Sequence, residues 1–328
     1  MAITKIVLLL ALGAAFGIAR DAEAQGQKAI RVGRLSPISA ETDVANLAAF
    51  RGRMRELGWV EGRNFSVVAR FADGRATRLP ELAAELVRER VDIILAGSSP
   101  GVLAAQRATS TIPIVMVTTG DPVADGIVKS LARPDANVTG VTAIGQALNT
   151  KRLELIKEAV PGARRVGLIM NPEAFYTPRL LEDRQRAARS LALDLRLFEV
   201  REPDNLEAAF AAARTDRMDA LLVQTTAFFI THRKRIVELA ARSRVPAVYG
   251  EREFVDAGGL MFYGAGLGDM YRDAAVYVDK ILKGAKPADL PIEQPSKLEL
   301  IINLKAAKAL GITIPPSVLA RADRIVEK

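Results

Sequence analysis

The 328-residue chain contains no cysteine. Disulfide scaffolds, thiolate zinc sites and cysteine nucleophiles are therefore excluded. It contains one histidine, His232, which removes every site that needs two. Charge of one sign is not concentrated anywhere. The formal net charge is +8, but the basic residues alternate with acids, as in Arg51-Gly52-Arg53-Met54-Arg55-Glu56. The densest basic run, His232-Arg233-Lys234-Arg235, falls in a helical pattern beside Glu238. It reads as a solvated helix face with His232 as a surface or capping residue, and no nucleic-acid partner is expected. No carboxylates have the spacing of a calcium loop, so neither metal nor cofactor is expected.

Long hydrophobic runs are also scarce. The apolar stretch Ile6 to Ile18 is too short to span a bilayer comfortably. With Lys5 before it and Ala22-Glu23-Ala24 after it, residues 1–24 read as a cleavable secretory signal peptide, with Gln25 as the mature start. A soluble periplasmic protein is the expectation, acting as a monomer.

What the chain does contain is one pattern, twice. From residue 30, short β-branched runs alternate with helical segments, which predicts βαβ units and mostly parallel sheets. Predicted strands are 30–35, 65–70, 91–96, 114–117, 138–142, 165–170, 194–200, 220–223, 247–249 and 260–263. Arg31-Val32-Gly33 answers Arg165-Val166-Gly167, and Ile112-Pro113-Ile114 answers Val245-Pro246-Ala247. The fold class read from this order is α/β, with two similar lobes.

In open parallel sheets ligands bind beyond the carboxyl ends of the strands. Four such ends carry a capping residue followed by proline: Ser36-Pro37, Ser99-Pro100, Asp121-Pro122 and Asn171-Pro172. Helix N-termini aimed at one region would suit a carboxylate. Phe175, Phe228 and Tyr249 could flank an apolar ligand body, and Glu173, Asp121 and Glu251 could meet a cation.

Two motifs mislead. Gly97-Ser98-Ser99-Pro100-Gly101 fits a serine-hydrolase elbow, but Pro100 lacks the N–H that the oxyanion hole requires. Gly264-Ala265-Gly266-Leu267-Gly268-Asp269 approaches a dinucleotide fingerprint, but Asp269 stands where its third glycine belongs.

Several stretches resemble a known family. They include Glu56-Leu57-Gly58-Trp59-Val60-Glu61-Gly62-Arg63-Asn64, Gly120-Asp121-Pro122-Val123, Asn137-Val138-Thr139-Gly140-Val141-Thr142, Lys151-Arg152-Leu153-Glu154-Leu155 and Gly258-Gly259-Leu260-Met261. Together they resemble the tryptophan/tyrosine-type substrate-binding proteins of ABC transporters. The resemblance implies a type I periplasmic-binding architecture, with two Rossmann-like lobes joined by three crossings near 143, 250 and 290. Lobe 1 would comprise 28–143 plus 251–288, and lobe 2 144–250 plus 289–328. The ligand would sit between them, touching Ser36, Ser98, Ser99, Thr119, Asp121, Asn171, Phe175, Thr225, Phe228, Tyr249 and Glu251. The implied function is capture of a small carboxylate-bearing ligand for an ABC permease, without a chemical step. An aromatic amino acid, another amino acid and an aromatic carboxylate all remain open, because Pro37-Ile38 is bulkier than the family's first loop. A ligand-sensing receptor and a two-lobe α/β enzyme are the rival readings.

Overall fold

A computed structural model describes residues 29–134, 136–143, 145–172 and 178–327. The expected leader lies outside them. Five strands form the first sheet: β1 (Ile30–Ser36), β2 (Phe65–Phe71), β3 (Ile93–Gly97), β4 (Ile114–Thr119) and β5 (Val138–Thr142). Their order is β2-β1-β3-β4-β5, and every pairing is parallel. The second sheet starts with β6 (Arg165–Met170), β7 (Asp194–Glu199), β8 (Ala220–Val223), β9 (Ala247–Tyr249) and β10 (Met261–Gly264). The run β7-β6-β8-β9-β10 repeats the first sheet's order, as the internal sequence repeat requires. Antiparallel β11 (Glu299–Asn303) and then β12 (Arg324–Val326) extend it.

The predicted strands recur within a few residues. The last two were not anticipated, since β11 is a brief apolar run between polar flanks and β12 spans three largely exposed residues. Every residue of β3 and of β5 is buried. Full burial of a strand is the signature of a parallel sheet covered on both faces.

Between the strands run α1 (Ala40–Glu56), α2 (Leu79–Arg88), α3 (Ser98–Ala108), α4 (Gly145–Ala159), α5 (Pro178–Ser190), α6 (Asn205–Thr215), α7 (Ala227–Thr231), α8 (Arg233–Ser243), α9 (Arg252–Asp256) and α10 (Leu267–Leu282). Helix α1 shows why they form where they do. Ser39 accepts a hydrogen bond from the Thr42 N–H, acids occupy the first turn and Arg53 and Arg55 the last, matching the helix dipole.

The chain's route between sheets corrects the expected second crossing. β10 pairs with β9 through Met261–Val248 and Phe262–Tyr249, so residues 251–264 stay with the second sheet instead of joining lobe 1. The crossing comes at Gly264-Ala265-Gly266, the stretch that imitates a nucleotide fingerprint. Helix α10 then packs under the first sheet, where Tyr271, Ala274 and Val278 share a core with Val32, Phe50 and Val115. The third crossing falls after Glu293, whose N–H donates to the Gly140 carbonyl at 3.0 Å and whose carbonyl accepts from the Thr142 N–H at 3.0 Å. That is a few residues beyond the expected 290.

Gly140 is required where it stands. Its φ is +133°, and a Cβ there would lie 2.3 Å from the Met116 carbonyl oxygen. The β4–β5 register shifts between Met116 and Thr119, and Thr118 takes a left-handed φ of 62°. This irregularity splays the end of β4 at the mouth of the sheet.

Candidate functional site

A cavity of about 660 Å³ lies between the carboxyl ends of the two sheets. The volume is in the usual range for small-ligand sites, roughly 300–1,000 Å³. Lobe 1 supplies Pro37, residues 73–77, Ser98 to Pro100, Thr118, Gly120, Asp121 and Asp125. Lobe 2 supplies Asn171, Gln224 to Phe228, His232, Gly250 and Glu251, with Arg152 and Arg184 from its first two helices.

The lobe 1 wall is built around the start of α3. The Gly97 cap gives no side-chain bond, and Ser98 has a left-handed φ of 63°, so the helix opens abruptly from β3. The Ser98 N–H donates to Thr118 Oγ1 at 3.3 Å. The buried Ser99 hydroxyl donates to Asp125. Burial pushes the Asp125 carboxyl up; the Ser99 bond opposes this and nearby Asp121 adds to it. Asp121 spends one oxygen on the N–H groups of Val123 and Ala124, at 3.1 and 3.0 Å.

Behind this wall is an ion pair with no solvent exposure. Arg34 Nε donates to Asp43 Oδ2 at 2.9 Å and Arg34 Nη2 to the Tyr271 hydroxyl at 2.5 Å. A Cβ on Gly97 would stand 3.1 Å from Arg34 Nη1, so the pair forms the floor beneath the α3 entrance.

On the lobe 2 side, Phe228 is the aromatic wall. It meets Phe229 edge-on at 5.2 Å and His232 at 5.0 Å between ring centroids. His232 thus occupies the expected cap position, at the α7–α8 junction and without a side-chain capping bond, and it lines the cleft there. Burial holds its pKa below the ordinary value, and Arg235 adds to the effect.

At the base, Arg152 gathers the crossings. Its Nε donates to the Tyr263 carbonyl at 2.8 Å, Nη1 to Asn149 Oδ1 at 3.0 Å and Nη2 to the Gly250 carbonyl at 3.5 Å. Burial lowers its pKa to about 10, which leaves it charged at neutral pH. Glu251 beside it is buried, and desolvation drives its pKa well upward despite Arg152.

The family model for ABC transporter substrate-binding proteins matches residues 32–326. The chain belongs to that family. This substrate-binding protein is 26% identical over 259 residues to a tyrosine-binding protein of Clostridioides difficile (strain R20291), spanning 79% of this chain and 74% of that one. A conserved domain protein of Vibrio cholerae superposes with a TM-score of 0.84 at 26% identity, over 91% of this chain and all of that one. An ABC domain from Streptococcus pneumonia, solved in complex with L-Trp, gives 0.83 at 24% identity over the same shares. The two-lobe periplasmic-binding architecture is shared with these structures.

Of the residues expected to touch a ligand in the substrate-binding protein, Ser98, Ser99, Asp121, Asn171, Thr225, Phe228 and Glu251 line the cavity. Ser36 does not reach it. Its hydroxyl is fully buried, accepting from Arg34 and donating to the Ile38 carbonyl. Tyr249 does not reach it either. It turns into the core and stacks on Phe254 at 4.6 Å, because the strand's alternation hands the cleft to Gly250. Phe175 and the side chain of Thr119 lie outside the described residues.

Of the four cap–proline pairs, Asp121 caps its own turn, but α1 is capped by Ser39 and not Ser36. The Asn171 N–H donates to the Gln224 side chain at 2.8 Å. Arg34, Arg152 and Gln224 escaped the sequence reading. The signal available was only that Arg34 lies within an otherwise apolar strand and Arg152 on an amphipathic helix.

Proposed function

We propose that this protein captures a free amino acid in the interlobe cleft by hinge closure and delivers it unchanged to an ABC permease. The carrying observation is the cleft's lining. The α3 entrance stands on one wall, its Gly97 cap offering no side chain and its Ser98 N–H held by Thr118 Oγ1, and the Phe228 ring with groups of both charge signs stands on the other. A zwitterion with an apolar side chain complements such a surface. Its carboxylate suits the α3 N-terminus with Ser98 and Ser99. Its ammonium suits Asp121, and Glu251 once the arriving cation displaces that buried carboxyl's proton. Its body suits the Phe228 face. The tyrosine-binding relative and the L-Trp-bound neighbour make aromatic amino acids the first to test.

The moving units in this reading are 29–143 with 265–293, and 145–264 with 298–327. Export through the 1–24 leader would place the protein in the periplasm. Among the described residues no helix is long and apolar enough to cross a membrane. A thermal-shift panel of amino acids, aromatic acids and sugars tests the reading. Ligand at ~100 times its Kd stabilises by about 2.7 kcal/mol, a shift of several degrees. Amino acids alone should raise the melting temperature. A response confined to sugars would contradict the proposal.

A further inference from the structure

One lobe 1 side chain is packed in the other lobe. Ile38 is 5% exposed, and the apolar cluster that buries it otherwise consists of lobe 2 residues, among them Phe228, Phe229 and Ile230 of α7. Its loop is held from within, Ser36 Oγ donating to the Ile38 carbonyl and Ser39 capping α1. The loop after β2 is tied to it, the Gly74 N–H donating to the Pro37 carbonyl at 2.8 Å. Gly74 in turn lies on α7. A Cβ built there would stand 3.5 Å from Phe228 Cα and 3.7 Å from Thr231 Cβ. Two joined loops of one lobe therefore rest on one short helix of the other, and that helix also carries the Phe228 wall.

We propose that Ile38 is an affinity-determining latch that acts without touching the ligand. Pro37 lines the cavity and Ile38 does not. Its burial requires lobe 2, so opening the cleft must return both Ile38 and its seat on α7 to water. An apolar contact present in one state and absent in the other is a differential free energy, which is what shifts a conformational population. The latch sets the closed fraction of the empty protein and slows escape of any solute held behind Phe228. This follows from the lobe contact alone, whichever solute the cleft accepts.

The absence of cysteine makes the test clean. Gly74→Cys paired with Thr231→Cys places two Cβ atoms at a separation within the ~3.5–4.5 Å of disulfides. The purified, ligand-free double variant is exposed to oxidised glutathione, and cross-linking is followed on non-reducing gels. The pair should cross-link, and adding Ile38→Ser should slow the reaction about tenfold, the scale of losing one buried aliphatic side chain. Should Ile38→Ser fail to fold, as judged by circular dichroism, the graded series Ile38→Val then Ile38→Ala should slow it stepwise. Equal rates across these variants would overturn the latch. Gly74 has a φ of +79°, so cysteine there strains the loop equally in every variant and leaves the comparison between them intact. A parent pair that is natively folded by circular dichroism yet never cross-links would overturn the latch too. No solute is added, so the outcome is independent of which ligand the cleft takes.

Discussion

Arg152 and Gly250 meet at the base of the cleft, the guanidinium Nη2 on the glycine carbonyl at 3.5 Å. A Cβ at 250 would lie 2.9 Å from the Arg152 guanidinium carbon and 1.8 Å from Thr225 Oγ1. Only glycine lets the backbone approach this closely. The contact joins α4, which begins after the first crossing, to the loop that carries Glu251. The same side chain holds the Tyr263 carbonyl just before the second crossing. One buried cation thus organises the hinge side of the site.

Arg152→Met should destabilise the protein by about 2–4 kcal/mol, because it leaves the buried or partly buried Tyr263, Asn149 and Gly250 acceptors without their donor. Arg152→Lys should recover little, since an ammonium cannot reach three acceptors in a planar fork. Urea unfolding followed by circular dichroism measures both. Wild-type midpoints for Arg152→Met would show that the hinge contacts are incidental.

Gly140→Ala should cost at least about 2 kcal/mol, combining a strained positive φ with backbone overlap at Met116. Because the clash is with backbone, no side-chain rotation relieves it. The same denaturation experiment reads the loss, and the substituted protein should still show cooperative unfolding.

Glu251 gives a pH dependence with a definite sign. Its folded pKa is raised above the ordinary 4.5, so the native state keeps a proton that the unfolded chain releases. Stability from this group is fully present below the unfolded value and falls as pH climbs towards the raised one. Glu251→Gln should therefore gain stability relative to wild type as pH rises from 5 to 7. His232 acts oppositely in an overlapping range. Its folded pKa is depressed below 6.5, so stability falls as acid protonates the unfolded imidazole first. The difference between Glu251→Gln and wild type isolates the carboxyl. A flat difference across that range would contradict the assignment.

Much of this architecture is legible in the sequence because parallel strands buried on both faces read as short β-branched runs. Their repetition at near-constant offset exposes the two lobes. The loops after those strands deliver the cleft residues for the same reason. What stayed illegible depends on distant partners. The burial of Arg34 rests on Tyr271, 237 residues away, and the role of Arg152 on carbonyls 98 and 111 residues away. Tyr249 was misplaced because β9 is only three residues long, too short for its alternation to show which side chain faces the cleft. The second crossing was misplaced because α9 and β10 look alike in sequence whichever sheet they join; only strand pairing assigns them.

The most direct measurement of the central claim is calorimetric titration of the wild type and Phe228→Ala with L-tryptophan, L-tyrosine and the remaining amino acids. The wild type should bind at least one with one-to-one stoichiometry. Phe228→Ala should weaken that binding by about 1–3 kcal/mol, the scale of one buried aromatic contact, while unfolding as cooperatively as wild type. Absence of heat with every amino acid, or an affinity unchanged by Phe228→Ala, would contradict amino-acid capture in this cleft.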